Sequence, residues 1–282
     1  MKSLFIALQK LLPQHALSRL LGWVARSEQR FIAQPLIKAF MRAYGISLTE
    51  AQRKQPADYR SFNDFFTRAL EADARPVTSD NRLLLSPADG YVSQLGPIEA
   101  GTLLQAKGIS YSLADLLGSD TDAAAQPAAR VPQDGQFITI YLAPSNYHRV
   151  HAPTDGQLTS TVAIPGKLFS VNETTANSIP GLFSRNERLV CHYDSDHGRI
   201  SLVFVGALIV ASIETVWEET PSPYRQRSTR QVTHAFQQGD ELGRFLLGST
   251  VILCLPSNLS FDSNLAPGTA VQMGQLLGEW LP

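Results

Sequence analysis

The chain has 282 residues, 44% of them hydrophobic, and a formal net charge of −1 at pH 7. This length and composition allow one large buried core, and the balanced charge argues against a nucleic-acid partner. The charge is unevenly placed. Residues 1–44 contain seven Lys or Arg and one acidic residue, a net +6, which leaves −7 for the rest.

The N-terminal segment has apolar residues at helical spacing with Lys and Arg on the opposite face. Pro13 and Pro35 are expected to divide it into about three short helices. Such basic amphipathic helices either lie on an anionic membrane or pack on a domain with a solvated face. On the pattern alone, both interpretations of residues 1–56 stay open. As a membrane-docking segment, its membrane contacts would be Leu4, Leu8, Leu20, Trp23 and Phe31.

Neither a secretory signal nor a membrane-spanning helix is expected. The longest apolar run, residues 202–213, is shorter than the ~20 residues that a spanning helix needs, and its β-branched content predicts a buried strand. Cys191 and Cys254 lie in apolar strand-like runs, so we predict two buried, reduced thiols rather than a disulfide.

The remaining residues, 57–282, are predicted to form a β-rich domain. A short helix should begin near Ser61, with Phe62, Phe65 and Phe66 as buried anchors. Residues 118–135 should form a surface loop. The spacing of the strands predicts a β-sandwich or barrel, so the fold class is mainly β (α+β). The predicted strands are 83–85, 91–95, 137–142, 156–163, 188–193, 200–217, 245–255 and 270–277.

A Gly248-Ser249 step interrupts the apolar run 245–255. A serine hydroxyl in this position can attack the preceding carbonyl, which moves the acyl group from nitrogen to oxygen. Elimination from the resulting ester cuts the chain and leaves dehydroalanine, which hydrolyses to a pyruvoyl group and ammonia. The pyruvoyl ketone is an electron sink of the kind that pyridoxal phosphate provides in other enzymes.

Two further elements could serve that chemistry. His148 and His151 leave the strand 137–142 through a turn, and histidine is suited to general-base catalysis because its ordinary pKa lies near 6.5. Asp89 is either a turn former before Gly90 or a carboxylate that orients a histidine toward Ser249. A zinc site at the histidine pair is the rival interpretation, but no third ligand falls at suitable spacing, so no metal is predicted.

The ordered motifs of the chain resemble those of bacterial phosphatidylserine decarboxylase proenzymes, from about residue 57 to the end. The motifs are Asp58-Tyr-Arg-Ser-Phe-Asn-Asp-Phe-Phe-Thr-Arg68, Ser86-Pro-Ala-Asp-Gly90, Lys107-Gly-x-x-Tyr111-Ser-Leu, Tyr147-His-Arg-Val-His-Ala-Pro153, Leu168-Phe-Ser-Val-Asn172, Phe183-x-Arg-Asn-Glu-Arg188, Gly206-Ala-x-x-Val, Ile213-Glu-Thr-Val-Trp217 and Leu247-Gly-Ser-Thr250.

The resemblance implies self-cleavage between Gly248 and Ser249 into a β chain (1–248) and an α chain (249–282) that carries the pyruvoyl cofactor. It implies a catalytic triad of Asp89, His151 and Ser249, with His148 acting in decarboxylation. Phe169, Ser170 and Asn172 would border the substrate site. The substrate would be phosphatidylserine, and the product phosphatidylethanolamine. Because a diacyl lipid stays in the bilayer, the resemblance favours residues 1–56 as a membrane-docking segment. The enzyme would be peripheral on the cytoplasmic face of the bacterial inner membrane, and a homodimer is compatible with the resemblance.

Two other functional classes remain open from the residues alone. One is a pyruvoyl enzyme acting on a soluble amino acid, which would not need a basic amphipathic N-terminus. The other is a non-enzymatic barrel, like a carrier domain or a zinc peptidase, that uses the two histidines as ligands.

Overall fold

The computed structural model describes residues 14–106, 108–118, 134–207, 213–217, 223–246 and 249–282. The helices are α1 (Gln14–Arg26), α2 (Arg30–Tyr44), α3 (Phe62–Phe66), α4 (Leu113–Leu117), α5 (Glu173–Ala176) and α6 (Leu182–Arg185), with a 3₁₀ turn at Pro56–Asp58. The strands are β1 (Leu83–Leu85), β2 (Gly90–Ile98), β3 (Thr102–Ala106), β4 (Ile109–Ser112), β5 (Gly135–Leu142), β6 (Arg149–His151), β7 (Gly156–Ile164), β8 (Arg188–Ser195), β9 (Gly198–Val205), β10 (Ile213–Thr215), β11 (Ser228–Phe236), β12 (Glu241–Phe245), β13 (Ser249–Leu255), β14 (Leu259–Phe261), β15 (Ala270–Val271) and β16 (Leu276–Trp280).

The centre of the molecule is an antiparallel sheet in the order β11-β7-β8-β9-β13-β5-β2-β15. Successive residues of β13 alternate between two cores: Val251 and Leu253 face one, Ile252 and Cys254 the other. Both faces of the sheet are therefore buried at its central strands, whereas the edge strand β11 is mostly exposed. Among the described residues the edge strands β11 and β15 do not pair with each other, so the sheet is open. The prediction of a mainly β fold is confirmed.

The helices α1, α2 and α3 share a separate core beside the sheet. The side chain of Ser61 caps α3 by accepting a hydrogen bond from the Asp64 N–H (3.2 Å), and Phe62, Phe65 and Phe66 are buried. The predicted short helix and its anchors are confirmed. Among the described residues, no helix is long and apolar enough to cross a membrane.

The prediction that Pro35 breaks the N-terminal segment is wrong. Pro35 lies inside α2, and the break falls at residues 27–29. Proline removes one helical hydrogen bond. Here the buried Ala33 and Ile37 keep α2 packed on the aromatic core, and the Pro35 ring points to solvent. Tertiary packing therefore outweighs the local preference.

Three of the predicted strands are each divided in two. Residues 200–217 form β9 and β10, because the chain leaves the sheet at Gly206, whose N–H donates to the Glu187 carbonyl (2.8 Å). Residues 245–255 divide into the end of β12 and β13, and residues 270–277 into β15 and the start of β16. Cys191 and Cys254 are buried and unpaired as predicted. Most of the predicted loop 118–135 lies outside the described residues.

Candidate active site

Several of the predicted site residues meet at one end of the central sheet. Ser249, the first residue of β13, lies opposite Leu142, the last residue of β5. The strand β2 begins at Gly90 on the other side of β5, which places Asp89 at the same end. The strand β12 ends nearby at Phe245, whose N–H donates to the His148 carbonyl (3.0 Å). Gly248 and the side chain of Ser249 lie outside the described parts of the structure.

Asp89 is held by an arginine that was not predicted from the sequence. Arg75 donates from Nε to Asp89 Oδ1 (2.9 Å) and from Nη2 to Oδ2 (2.6 Å), and Oδ1 also accepts from the Met273 N–H (2.8 Å). Arg75 Nη2 reaches Glu50 as well (3.1 Å), and hydrogen bonding to Asp89 raises the pKa of Arg75. Gly90 lets the start of β2 lie close against β5, since a Cβ there would lie 2.5 Å from the Tyr141 carbonyl oxygen.

His151 is buried and hydrogen-bonded at both ring nitrogens. Nδ1 lies 2.7 Å from the Gly239 carbonyl oxygen, and Nε2 lies 3.0 Å from the Tyr147 hydroxyl. A carbonyl can only accept, so Nδ1 carries the proton and Nε2 accepts from Tyr147. Burial lowers the pKa of His151 and favours this neutral tautomer. Its backbone N–H donates to the Pro87 carbonyl (2.8 Å), which keeps the Asp89 segment adjacent.

The structure brings Asp89 and His151 into one region but does not join them. Among the described residues they share no hydrogen bond. The Asp89 carboxylate is hydrogen-bonded to Arg75 instead, and His151 Nδ1, which would bond to the carboxylate in a triad, is hydrogen-bonded to the Gly239 carbonyl. The Asp89–His151 pairing therefore remains a prediction for the cleaving state.

His148 has very different surroundings from those of His151. It is fully buried, and its ring stacks on Phe66 with centroids 4.0 Å apart. The carbonyls of Ala143 and Pro144 lie near the ring, but neither nitrogen makes a hydrogen bond of ordinary geometry to any described residue. Burial, reinforced by the charge of Arg68, lowers the pKa of His148 to about 3. The imidazole is therefore neutral at physiological pH.

The segment containing Phe169, Ser170 and Asn172 is anchored at the same end of the sheet by Asn186. The Asn186 side chain accepts from the Phe169 N–H (3.1 Å) and donates to the carbonyls of Phe169 (2.8 Å) and Gly206 (2.9 Å). Gly206 directly follows Val205, the partner of Thr250 in the sheet. Asn172 caps α5 through the Thr175 N–H (3.1 Å) and donates to Ser170 Oγ (3.0 Å). These two hydrogen bonds of the Asn172 side chain fix the local conformation of the segment.

The helix α1 reaches this segment directly. The side chain of Gln14, 7% exposed, accepts a hydrogen bond from the Leu168 N–H at 2.8 Å. Of the predicted membrane contacts on the helices, Leu20, Trp23 and Phe31 are exposed on α1 and α2. Leu4 and Leu8 lie outside the described residues.

Three residues of this region, Arg68, Arg75 and Asn186, were not predicted from the sequence, and no role was expected for Tyr147. A signal existed for Arg68, because it ends the aromatic motif 58–68 in an apolar context. The described part of the chain holds no group of three or more His, Cys, Asp or Glu side chains that could bind a metal ion.

Comparison with known proteins identifies the family. The family model described as phosphatidylserine decarboxylase matches residues 62–279, and a second, described as PSD, matches residues 4–45. The chain belongs to the phosphatidylserine decarboxylase family. The resemblance inferred from the motifs is confirmed, and so is the prediction that the protein is an enzyme of this type.

Close relatives within the family match almost the whole chain and are named phosphatidylserine decarboxylase proenzyme. The protein of Alcanivorax borkumensis is 50% identical, covering 98% of this chain and 96% of the relative. That of Pseudomonas fluorescens is 49% identical, covering 100% and 99%, and that of Acinetobacter baylyi is 48% identical, covering 99% and 96%.

Proposed function

We propose that this chain cuts itself between Gly248 and Ser249, forms a pyruvoyl group from Ser249, and then decarboxylates phosphatidylserine to phosphatidylethanolamine. The observation that supports this most directly is the position of Ser249. It begins β13 at the sheet end where His148, His151 and Asp89 gather. The relatives are named as proenzymes, which fits a precursor that yields a β chain (1–248) and an α chain (249–282).

His151 is the base for the cleavage step. Its Nδ1–H is fixed on the Gly239 carbonyl, so the Nε2 lone pair is available once the Tyr147 hydrogen bond opens. That lone pair takes the Ser249 hydroxyl proton as the oxygen adds to the Gly248 carbonyl carbon and the peptide C–N bond breaks. The imidazolium returns the proton to the amine that leaves. Loss of the Ser249 α-proton then expels the Gly248 carboxylate and leaves dehydroalanine, which water hydrolyses to the pyruvoyl group and ammonia. Asp89 can stabilise the imidazolium that forms once its carboxylate is released from Arg75.

His148 provides surroundings suited to decarboxylation. Its two unpartnered ring nitrogens leave room for hydrogen bonds to a reacting group next to Ser249, so the residues present fit a pyruvoyl group there. When formed, that group supplies a ketone that accepts the electron pair released as carbon dioxide leaves. The Phe66 stack covers one face of the imidazole. His148 is neutral in the resting site, so it takes up one proton from solvent and passes it to the former α-carbon.

Intact-mass spectrometry of the purified protein tests this proposal. We expect two chains that divide at Gly248–Ser249, with a pyruvoyl mass on the smaller. Ser249→Ala should remain a single chain of 30.9 kDa without decarboxylase activity, and Ser249→Cys or Ser249→Thr should cut slowly. The control Ser260→Ala, in β14, should cut normally. An intact wild-type chain that shows no decarboxylation would exclude the proposed chemistry.

We also propose that the enzyme is peripheral on the anionic, cytoplasmic face of the bacterial inner membrane. Leu20, Trp23 and Phe31 are 60%, 66% and 76% exposed, unusually high for large apolar side chains. The basic residues of α1 and α2 are exposed beside them, and each contributes about 1 kcal/mol near an anionic surface. These basic residues are Arg19, Arg26, Arg30, Lys38 and Arg42.

Vesicle binding tests the membrane surface by point substitution. The triple change Leu20→Ser, Trp23→Ser and Phe31→Ser should weaken binding to phosphatidylglycerol-containing vesicles by about tenfold or more, because each side chain loses apolar burial. A matched control changes Leu104 and Leu281, which are 41% and 49% exposed on the β-rich part of the chain. Equal binding by both variants would remove this surface from the membrane contact.

A further inference from the structure

A polar pocket of about 260 Å³ lies beside the candidate site. Its wall is formed by the segment that follows α2, by the turn before His148 and by four charged side chains. Those charged residues are Glu50, Arg68, Arg75 and Asp89, and Tyr147 lines the pocket with them. The pocket is thus continuous with residues of the site while presenting groups that the cleavage step does not use.

Arg68 is the pocket residue whose hydrogen bonding is incomplete. It is 5% exposed, and its Nη2 donates to the carbonyls of Ser145 (3.1 Å) and Asn146 (3.3 Å). Its Nη1 has no hydrogen-bond partner among the described residues and is shielded from solvent, so the guanidinium must turn toward the pocket for a ligand to reach this atom. The guanidinium lies over the Phe65 ring, 5.5 Å from the centroid. Within the described residues, no carboxylate forms a salt bridge with it.

The two carboxylates of the pocket are occupied elsewhere. Arg75 takes Asp89 through two hydrogen bonds and Glu50 through a third. Burying a guanidinium without a paired anion costs folding free energy. An anionic ligand that enters the pocket and accepts a hydrogen bond from Arg68 Nη1 would offset this cost.

The headgroup of the proposed substrate carries two anions, a carboxylate and a phosphodiester. The carboxylate loses its charge as carbon dioxide leaves, so a guanidinium bound to it would stabilise the ground state and slow the reaction. The phosphodiester keeps its charge throughout. Binding the phosphodiester therefore adds affinity without opposing the chemistry, while the carboxylate can occupy the apolar surroundings of His148 and Phe66.

We infer that Arg68 binds the phosphodiester of the lipid headgroup in this pocket through its free Nη1. This inference rests on the proposed function and names a specificity-determining residue for it. Arg68 then fixes the headgroup at the end opposite its reacting amine and orients the carboxylate toward His148. Since this interaction is equal in the ground and transition states, its loss should raise KM and leave kcat nearly unchanged.

The test uses the self-cleaved enzyme and its Arg68→Met variant. The variant should cut itself normally, raise KM for phosphatidylserine about tenfold or more, and keep kcat within about threefold. Arg68→Lys, which retains the charge, should recover part of the affinity. The matched control is Arg53→Met, because Arg53 also lies over an aromatic ring but already has a carboxylate, Asp64, at 2.6 Å. It should leave KM unchanged.

Two soluble inhibitors separate the two anions. Glycerophosphoethanolamine carries a phosphodiester without a carboxylate, and O-methylserine carries a carboxylate without a phosphate. Arg68→Met should weaken inhibition by the first about tenfold and leave inhibition by the second unchanged. The reverse pattern would assign Arg68 to the carboxylate and overturn the inference. So would unchanged KM together with unchanged inhibition.

A fold or cleavage defect in Arg68→Met does not leave the question open. In that case, binding of glycerophosphoethanolamine is measured on the uncut Ser249→Ala chain, with Arg68→Gln, which removes the charge but keeps a polar side chain, as the added change. Equal binding with and without that change overturns the inference. If instead the wild-type chain neither cuts nor decarboxylates, the proposed function fails first, which is a distinguishable result.

Discussion

His148 and His151 lie three residues apart, yet their surroundings are opposite. His151 belongs to a paired cluster, which consists of Arg75, Asp89, Tyr147 and His151 and in which the ring nitrogens and the carboxylate are hydrogen-bonded. His148 and Arg68 form an unpaired cluster, in which neither ring nitrogen and only one of the two terminal guanidinium nitrogens makes a hydrogen bond of ordinary geometry to a described residue. Hydrogen bonds fix a tautomer and an orientation, which suits a base that acts once within its own chain. Unpartnered buried atoms suit a ligand that arrives and leaves.

Exchanging each histidine for alanine is the strongest test of this contrast. His151→Ala should remain an uncut chain on a denaturing gel, because the base for the Ser249 proton is gone. His148→Ala should cut but lose about 10²–10⁴-fold in carbon dioxide release, the usual contribution of a general acid or base. A His151→Ala chain that cuts at the wild-type rate would remove His151 from the cleavage step.

The second test breaks the paired cluster at its ion pair. Arg75→Met leaves the Asp89 carboxylate buried without its cation and should lower the free energy of unfolding by about 3–5 kcal/mol in a denaturant titration. Both side chains are only 7% exposed. The control is Arg82→Met, whose pair with Asp80 is similarly short but whose side chain is 80% exposed. It should not shift the midpoint measurably. Equal midpoints for both variants would show that the buried pair of Arg75 and Asp89 contributes no more stability than an exposed pair.

The third test uses pH. The pKa of His148 is lowered to about 3 in the folded chain against 6.5 when unfolded, so the unfolded state binds the extra proton first. Stability is therefore full above about pH 6.5 and falls as the pH drops toward 3, by at most about 1.4 kcal/mol per pH unit for this residue. The pKa values of His151 and His192 are lowered as well and add to the slope. His148→Phe, which keeps the stack on Phe66, should give a shallower acid slope in denaturant titrations. An unchanged slope would show that His148 is solvated or paired in solution.

The smallest expected effect comes from single hydroxyl groups. Tyr147→Phe removes the hydrogen bond to His151 Nε2 and should cost about 1 kcal/mol of unfolding free energy. Cleavage should persist, because the Gly239 carbonyl still fixes Nδ1. Tyr193→Phe is the matched control, since the Tyr193 hydroxyl is also buried but has no hydrogen-bond partner in the part of the chain that the structure describes. Its removal should not destabilise the chain. Equal losses would contradict the assignment of Tyr147 to the paired cluster.

Much of the fold was predictable because it depends on local patterns. The cap at Ser61 and the phenylalanines after it follow from side-chain spacing alone. The alternation of Val251, Ile252, Leu253 and Cys254 between two cores follows from a run that is apolar at every position. The errors arose where contacts distant in sequence decided the outcome, as where the core beneath α2 tolerates Pro35.

The residues of the candidate site could be predicted from the sequence, but their hydrogen-bond partners could not. Ser249, His148, His151 and Asp89 carry chemistry in their side chains, so motifs identify them. The partner of His151 Nδ1 is a backbone carbonyl 88 residues away, which leaves no signature in residue type. The Asp89 partner could not be chosen either, because the chain offers many arginines and only the fold brings Arg75 to it.

The hydrogen bond between Gln14 and the Leu168 N–H has a consequence for how a soluble form of this enzyme would be made. Removing the N-terminal helices to improve handling would also delete the acceptor that holds Leu168, at the start of the segment proposed to border the substrate. We therefore expect a truncated protein to lose activity on dispersed short-chain lipid as well as on vesicles. Solubility is better sought by changing Leu20, Trp23 and Phe31 in place, which leaves that attachment intact.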